Sequence, residues 1–484
     1  MSIQKPTGPS GGYFAALGVT SEVLHRVLTA ALHRGGDDCD LYFEHSSSTS
    51  IVLTDGAVNQ ASTNVSLGMG VRVRSGDQVG YAYSEDLAPE ALCNAARTAA
   101  GIARSAAPQS IPTPLGVALP NHYPVVQPWD HVDISSRIDM VRAWEQAAFQ
   151  RDERIKRVEV SLSDAAKVVM VVRPDGRLVE DWRPMTRASV RCTAEGLDRN
   201  GESIRESNGY NIAGRAGLEY LDPDRQKRLV ETAVDRTLFL LDADSPAPGE
   251  MPVVLAAGPS AILLHEAIGH GMEADFNRKR ISIYADKMNA SIANDQVTIV
   301  DDGTLLGARG SINVDDEGNH TERTVLVENG ILRSYMHDEL SARHYGIKPT
   351  GSGRRQSFRH APMPRMRSTV MEPGPHDPEE IIASVENGIY CVSFSNGAVH
   401  IGGGDFSFYM KTGFRIENGK LGAPIKDVNI IGNGPDALAR IDMVGNDLAI
   451  DEGGWTCGKD GQSVPVSQGM PTVRVSSLVV GGEQ

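Results

Sequence analysis

Residues 251–278 of this 484-residue chain read MPVVLAAGPSAILLHEAIGHGMEADFNR. The apolar run 253–256 predicts a buried strand. Gly258-Pro259 predicts a turn that opens a helix, because proline suits the first helical turn. Beyond this helix the chain consists mostly of short strand patterns separated by glycine turns. The segment therefore predicts the start of a second, β-rich half of the molecule.

The predicted helix carries the sequence HEAIGH at residues 265–270. Two histidines on one helix with a glutamate beside the first are typical of zinc hydrolases, in which the imidazoles bind Zn²⁺ and the carboxylate deprotonates the metal-bound water. The alternative is that two ordinary histidines lie near each other by chance. The preceding strand and turn, and the acidic Glu273 and Asp275 that follow, favour the metal site. The pattern makes His265 and His270 candidate ligands and Glu266 the candidate base.

The spacing of the two histidines does not suit a regular α-helix. Five residues at about 100° each rotate the second imidazole roughly 140° away from the first. A π-bulge or an early end of the helix would return both side chains to one side. We predict this distortion close to Gly269.

A zinc site of this kind needs a third protein ligand and one open position. The sequence leaves four candidates open, namely Glu273, His337, His400 and Cys457. Cys457 lies in a predicted glycine-flanked loop, and Lys459 close by would favour the thiolate. The alternative for Cys457 is an inert small hydrophobic residue.

Outward from this segment, the patterns predict an α+β protein. The first half alternates helical periodicity with short strands and tight turns, which predicts helices packed on a mainly antiparallel sheet. Pro246 and Pro248 lie in the best linker, so the predicted boundary separates an N-terminal α+β domain, 1–245, from a β-rich metal-binding catalytic domain, 246–484. The predicted helices of the first half are 21–32, 87–106, 135–152 and 225–241.

Composition excludes several other classes of protein. The formal net charge of −15 argues against a nucleic-acid partner, which calls for basic surface. The five cysteines are scattered and odd in number, which indicates a reducing compartment. The N-terminal residues contain no apolar leader, and every apolar run is too short to span a bilayer. We therefore expect a cytoplasmic protein with no membrane partner.

Residues 265–278 are similar to the hallmark of the TldD/PmbA metallopeptidases, and of the TldD branch in particular. The resemblance covers nearly the whole chain, and the other matching segments are 41–43, 68–82, 312–318, 349–355, 362–366, 443–448 and 457–462. It implies that His265, His270 and Cys457 hold the metal and that Glu266 is the base. It also implies a metal-free PmbA/TldE-like paralogue as partner, or a homodimer, and unfolded peptides as substrates.

Two further features suggest substrate contacts, each with a structural alternative. Arg354 and Arg355 open a run of arginines that continues to Arg367; they would suit a peptide carboxylate, but ion pairing within the protein is the favoured alternative. Gly402, Gly403 and Gly404 would let a peptide backbone approach a sheet edge, and a bulge or loop is the alternative.

Three functions remain open from the sequence. The first is a zinc peptidase that acts on extended peptides. The second is a metal-bearing scaffold that presents peptides without cutting them, although a scaffold has no need of Glu266 as a base. The third is a hydrolase of non-peptide amides.

Overall fold

The computed structural model describes residue 3 and residues 12–102, 111–198 and 201–481. A seven-stranded sheet dominates the first half, in the order β3-β2-β1-β5-β6-β4, with β7 also paired to β6. Its strands are β1 (Asp38–Thr54), β2 (Ala57–Ser75), β3 (Gln78–Ser84), β4 (Leu115–Gly116), β5 (Ile155–Val172), β6 (Arg177–Leu197) and β7 (Ser203–Gly214). All pairings are antiparallel except that of β4 with β6.

Helices cover one face of this sheet. Side chains alternate between the two faces of a strand, so every second residue of β1 points toward the helices. Leu41 and Phe43 on β1 pack against one pair of helices, and Ile51 and Leu53 further along β1 pack against another pair. The helices of the first half are α1 (Gly12–Ala16), α2 (Ser21–Leu32), α3 (Pro89–Ala99), α4 (Ile134–Arg151) and α5 (Pro223–Phe239). Residues 103–106 of the predicted second helix lie outside the described part of the chain.

The opposite face of the sheet contacts the second half of the chain. Tyr42 and Val171, which point away from the helices, pack with Val314 and Phe358 in one buried cluster. The sheet is therefore covered by helices on one side and, at this end, by the second half on the other.

The second half contains two larger sheets and short helices. Its strands are β8 (Gly249–Leu255), β9 (Ile299–Asp302), β10 (Arg323–Glu328), β11 (Ile331–Leu332), β12 (Gly353–Arg354), β13 (Met363–Pro364), β14 (Ser368–Met371), β15 (Asn387–His400), β16 (Asp405–Glu417), β17 (Lys420–Asn433), β18 (Ile441–Val444), β19 (Ala449–Ile450), β20 (Thr456–Lys459), β21 (Gln462–Pro465), β22 (Ser467–Met470) and β23 (Val473–Gly481). Its α-helices are α6 (Ile262–Leu264), α7 (Ala274–Arg278), α8 (Glu339–Tyr345), α9 (Pro378–Ala383) and α10 (Gly434–Ala439).

Five strands of the second half form a closed ring, since β17 pairs with both β16 and β23 in the order β17-β16-β15-β8-β23. The second sheet has the order β11-β10-β9-β14-β22-β19. The helical segment 259–278 follows β8, and most of its apolar residues belong to the main core of this half, for example Leu263 and Ile268.

This architecture confirms the predicted α+β class, with helices on a mainly antiparallel sheet followed by a strand-rich half. The domain boundary at 245/246 stays a prediction. In the described parts of the chain, no helix combines the length and the apolar character that crossing a membrane demands.

Candidate metal centre

The helix that carries the two histidines changes its winding at the motif. After α6, residues His265–Gly269 form one π-helical turn, in which the His270 N–H donates to the His265 carbonyl. This wider turn confirms the predicted distortion and brings the two imidazole rings to a centroid distance of 5.0 Å at 88°. A Cβ at Gly269 would lie 2.2 Å from the Met366 sulfur, so a larger residue there would require the Met366 side chain to shift.

Cys457 completes a group of three possible ligands with the two histidines. The nitrogen and sulfur atoms that His265, His270 and Cys457 offer all lie within 4.8 Å of one another, and all three residues are buried. Cys457 Sγ lies 3.5 Å from His270 Nε2. Two ligands of a tetrahedral zinc ion stand about 3.5 Å apart when Zn–N is about 2.0–2.1 Å and Zn–S about 2.3 Å. The group thus fits a metal ion of this kind.

Two properties of these residues support the fit. His265 Nδ1 is buried and has no hydrogen-bond partner in the described structure. Burial raises the pKa of the Cys457 thiol, but the adjacent His265 and His270 outweigh it and hold that pKa well below the usual value. The sulfur is therefore poised as thiolate, the form that binds metals.

The surroundings of Cys457 differ from the sequence prediction. Cys457 lies on β20, which forms a hairpin with β21, and not in a loop. Lys459 does not face the thiol; its Nζ contacts Asp275 Oδ1 at 2.7 Å and Glu273 Oε2 at 3.2 Å. Residues alternate across a strand, so Cys457 and Lys459 share the buried face of β20 while their side chains reach different partners.

Glu273, a candidate ligand from the sequence, orients His270 instead. Glu273 Oε2 lies 3.1 Å from His270 Nδ1, which leaves Nε2 directed at Cys457. Burial raises the Glu273 pKa, but Lys459, His270 and Arg365 outweigh it and lower that pKa to about 2. Burial likewise opposes charge on His270, yet Glu273 and Cys457 raise its pKa well above normal. A carboxylate behind a histidine ligand is a common way to fix the imidazole.

The other two candidate ligands lie elsewhere. His337 is buried among Tyr335 and Tyr345, and burial lowers its pKa to about 4. His400 ends β15, where its Nδ1 accepts the N–H of Gly403 at 3.2 Å. Neither belongs to the group of Cys457 and the two motif histidines.

A cavity of about 250 Å³ opens beside His265 and Glu266. No described residue donates a hydrogen bond to the Glu266 carboxylate, so its oxygens are available to a molecule in the cavity. Gly397 on β15 also lines the cavity, and a Cβ there would lie 2.9 Å from Glu266 Cγ. Gly397 therefore makes room for the Glu266 side chain.

The glycines and arginines named from the sequence occupy two other places. Gly402–Gly404 form the turn between β15 and β16 and are not among the residues that line this cavity. Arg355 is buried, donates to Asp40 Oδ1 at 2.9 Å and stacks on Tyr42, as the ion-pair alternative expects. Arg354 is equally buried but contacts carbonyl oxygens. Roles for these residues in substrate binding stay predictions.

Sequence reasoning missed the positioning role of Glu273, the partners of Lys459 and the contact of Gly397 with Glu266. A signal existed for Glu273, since it follows His270 by three residues and such pairs share a helix face. No local pattern singles out Gly397, because its importance depends on a strand that lies 131 residues further along the chain than Glu266.

The fold and the site together define a mixed α and β protein with a buried His/His/Cys group suited to a metal. Residues 39–103, 127–241 and 248–482 match, respectively, domain 1, the central domain and the C-terminal domain of the PmbA/TldA metallopeptidases. The chain belongs to this PmbA/TldD metallopeptidase family.

Curated relatives and solved structures agree with this assignment. The chain is 37% identical over 471 residues to a metalloprotease TldD homolog of Haemophilus influenzae, covering 96% of this chain and 97% of that one. It is 36% identical over 248 residues to a zinc metalloprotease TldD homolog of Saccharolobus solfataricus, covering 51% and 55% of the two chains. The crystal structure of TldE from Thermococcus kodakarensis has the same fold, with a TM-score of 0.72 at 18% identity over 95% of this chain and all of that one.

Proposed function

We propose that this protein is a zinc-dependent peptidase that hydrolyses peptide bonds in extended, unfolded peptides. The observation that carries the proposal is that Glu266 and His265 line one cavity, and that His265 also belongs to the buried group with His270 and Cys457. Relatives named metalloproteases, one of them a zinc metalloprotease, support it.

In this proposal, His265, His270 and Cys457 hold the ion, and Glu273 fixes the orientation of His270. Bound zinc would supply Lewis-acid chemistry by activating water and polarising the substrate carbonyl. Glu266 accepts the proton of the attacking water and then donates it to the leaving amine. The 7% exposure of Glu266 restricts bulk water around this proton transfer.

An extended peptide suits the wall of the cavity. The pairing of β15 with the parallel strand β8 begins at Ile389 and ends at Cys391. Within the described structure, no strand pairs with that side of the segment 395–397, which lines the cavity. A peptide added there would be held by backbone hydrogen bonds with little regard to its sequence. A folded protein has few free backbone groups to offer and should resist cleavage.

The resemblance extends the proposal to assembly and location. We expect a cytoplasmic complex with a PmbA/TldE-like paralogue, or a homodimer, and stronger cleavage in the complex than by the separate chain. The fold shared with TldE supports a paralogue of the same architecture. Cleavage of one polypeptide, native and denatured, by the chain with and without its paralogue tests this; equal rates on both forms would contradict recognition of extended peptides.

The decisive variant is Glu266→Gln, which keeps the size of the side chain but removes the base. We expect zinc content to be unchanged and turnover of a denatured polypeptide to fall by about 10²–10⁴-fold. Glu90→Gln on the exposed surface of α3 is the matched control and should behave like the unmodified chain. Full activity of Glu266→Gln would exclude it as the base. Peptide binding without cleavage by the unmodified, zinc-loaded complex would support the scaffold function instead.

A further inference from the structure

A second cavity, of about 310 Å³, lies next to the proposed catalytic cavity. Thr456 lines both, and the next residue in the chain is Cys457. Both halves of the molecule contribute to the second cavity, through Lys167, Arg183 and Arg215 from the first half and Arg309, Arg354 and Arg355 from the second. We call it the arginine cavity.

Three of its guanidinium groups have no anionic partner. Among the residues that the structure describes, no carboxylate lies within 4.0 Å of Arg215, Arg309 or Arg354. Arg354 donates to the carbonyl of Pro465 at 2.7 Å, and Arg309 donates to the carbonyl of Trp455 at 3.0 Å. Arg215 is 4% exposed, and its Nε has no hydrogen-bond partner in the described structure.

Other cations of the cavity are neutralised, which sets these three apart. Arg183 contacts Asp316 at 2.6 Å, and Arg355 contacts Asp40 at 2.9 Å. Asp316 is the one acidic residue among those that line the cavity, and Arg183 already holds it. A chain with 62 acidic and 47 basic residues has no shortage of carboxylates, so the excess of positive charge is a local feature.

The electrostatic cost of this arrangement shows in the arginines themselves. Burial, followed by repulsion from Arg215, lowers the pKa of Arg354 to about 9. Burial, Arg187 and Arg215 lower the pKa of Arg309 to about 10. A buried charge without a partner is costly, and an anion that enters the cavity would relieve both effects.

We propose that the arginine cavity binds a carboxylate of the peptide substrate and so favours, among extended peptides, those that place a carboxylate at a subsite beside the proposed metal centre. The inference rests on the proposed peptidase function. Guanidinium groups match a carboxylate through paired N–H donors. The volume accommodates a residue together with its carboxylate, which comes either from the C-terminus of the peptide or from an Asp or Glu side chain.

Four versions of one peptide distinguish these sources. They combine a free or amidated C-terminus with Glu or Gln at one internal position near the cleavage site. Binding is measured by calorimetry with the zinc-loaded Glu266→Gln protein in its complex, and cleavage is measured with the unmodified complex. We expect at least one carboxylate to strengthen binding about tenfold or more over the amidated Gln peptide. A preference for the free C-terminus or for Glu identifies the source.

Substitutions of single arginines test whether the preference for a carboxylate arises in the arginine cavity. Arg215→Met and Arg354→Met should each remove most of the preference while binding of the amidated Gln peptide persists. Arg359→Met is the matched control, because Arg359 belongs to the same arginine-rich stretch but pairs with Glu85 at the surface. This control should retain the full preference.

Two results would overturn the inference. The first is equal affinity of all four peptides for the Glu266→Gln protein, and it needs no arginine variant to fold. The second is a preference that the folded Arg215→Met and Arg354→Met proteins both keep. Failure of the peptidase proposal looks different, because the amidated Gln peptide would then bind and remain uncleaved by the unmodified complex.

Discussion

Two groups of arginines meet at the adjacent residues Arg354 and Arg355 and differ in their partners. Arg355 and Arg72 share the carboxylate of Asp40, and Arg72 also contacts Glu317 at 2.5 Å. The neighbouring Arg354 contacts carbonyl oxygens and, in the described structure, no carboxylate. Arg72, Arg354 and Arg355 are all buried, so the difference between them lies in charge balance.

The balanced group joins the two halves of the molecule. Asp40 and Arg72 lie on β1 and β2 of the first sheet, whereas Glu317 and Arg355 belong to the second half. Burial raises the Asp40 pKa, but Arg72 and Arg355 outweigh it and hold that pKa far below normal. The group around Asp40 contains both carboxylates and guanidinium groups, so it is complete without a ligand. The arginine cavity has an excess of guanidinium groups, and in our proposal a ligand carboxylate balances them.

The largest expected effect is on stability, from unbalancing the first group. Asp40→Asn keeps the shape of the side chain but leaves Arg72 and Arg355 with less negative charge. Loss of one partner from a buried ion pair costs about 3–5 kcal/mol. Urea unfolding measures the change, with exposed Asp77→Asn as the control. A loss below about 1 kcal/mol would mean that the group contributes no more than a surface pair.

A smaller effect is expected at the proposed metal centre, where Glu273 contacts both His270 and Lys459. Glu273→Gln should weaken zinc affinity about 10–100-fold, because the amide holds the imidazole less firmly and carries no charge. Asp275→Asn is the matched control, since Asp275 contacts Lys459 but not His270. Competition with a chelator gives the affinities. Equal affinities for the two variants would contradict the positioning role of Glu273.

The sequence could predict those parts of the site that depend on local geometry. The distorted helix followed from the five-residue spacing of His265 and His270, because helix geometry is local and leaves few ways to bring two such side chains together. The α+β class followed from periodicity for the same reason. Cys457 came from the resemblance, since its sequence neighbourhood left three other ligands open.

Long-range contacts escaped prediction. Lys459 is close to Cys457 in sequence, but its side chain reaches Glu273 and Asp275, which are about 185 residues away along the chain. The arginine cavity brings together Arg215, Arg309 and Arg354, which are separated by 94 and 45 residues along the chain. Sequence alone marked Arg354 and Arg355 as equivalent, and only the fold separates them by the position of Asp40.

His337 offers a third test, because it is buried and has no charged partner among the residues that the structure describes. Burial lowers its pKa to about 4, below the unfolded value of about 6.5. The folded state therefore binds fewer protons between these values, so stability is lost as pH falls from 6.5 toward 4, by about 1.4 kcal/mol per pH unit. His337→Phe keeps the ring and should flatten this slope in urea unfolding at several pH values. An unchanged slope would assign the acid sensitivity to other groups.

The smallest expected effect is the change in the free energy of unfolding when an arginine of the arginine cavity is replaced. Arg215→Met replaces a buried cation with an apolar side chain of similar length and removes the repulsion that lowers the pKa values of Arg309 and Arg354. The change loses one 3.4 Å hydrogen bond to the Pro184 carbonyl and a cation–π contact with Tyr123, each worth about 1 kcal/mol. We expect the free energy of unfolding to change by less than about 1 kcal/mol in either direction, because relief of repulsion offsets these losses. Urea unfolding of Arg215→Met beside Asp40→Asn measures the contrast. If Arg215→Met destabilises the protein as much as Asp40→Asn does, Arg215 has a structural role and the contrast between the two groups fails.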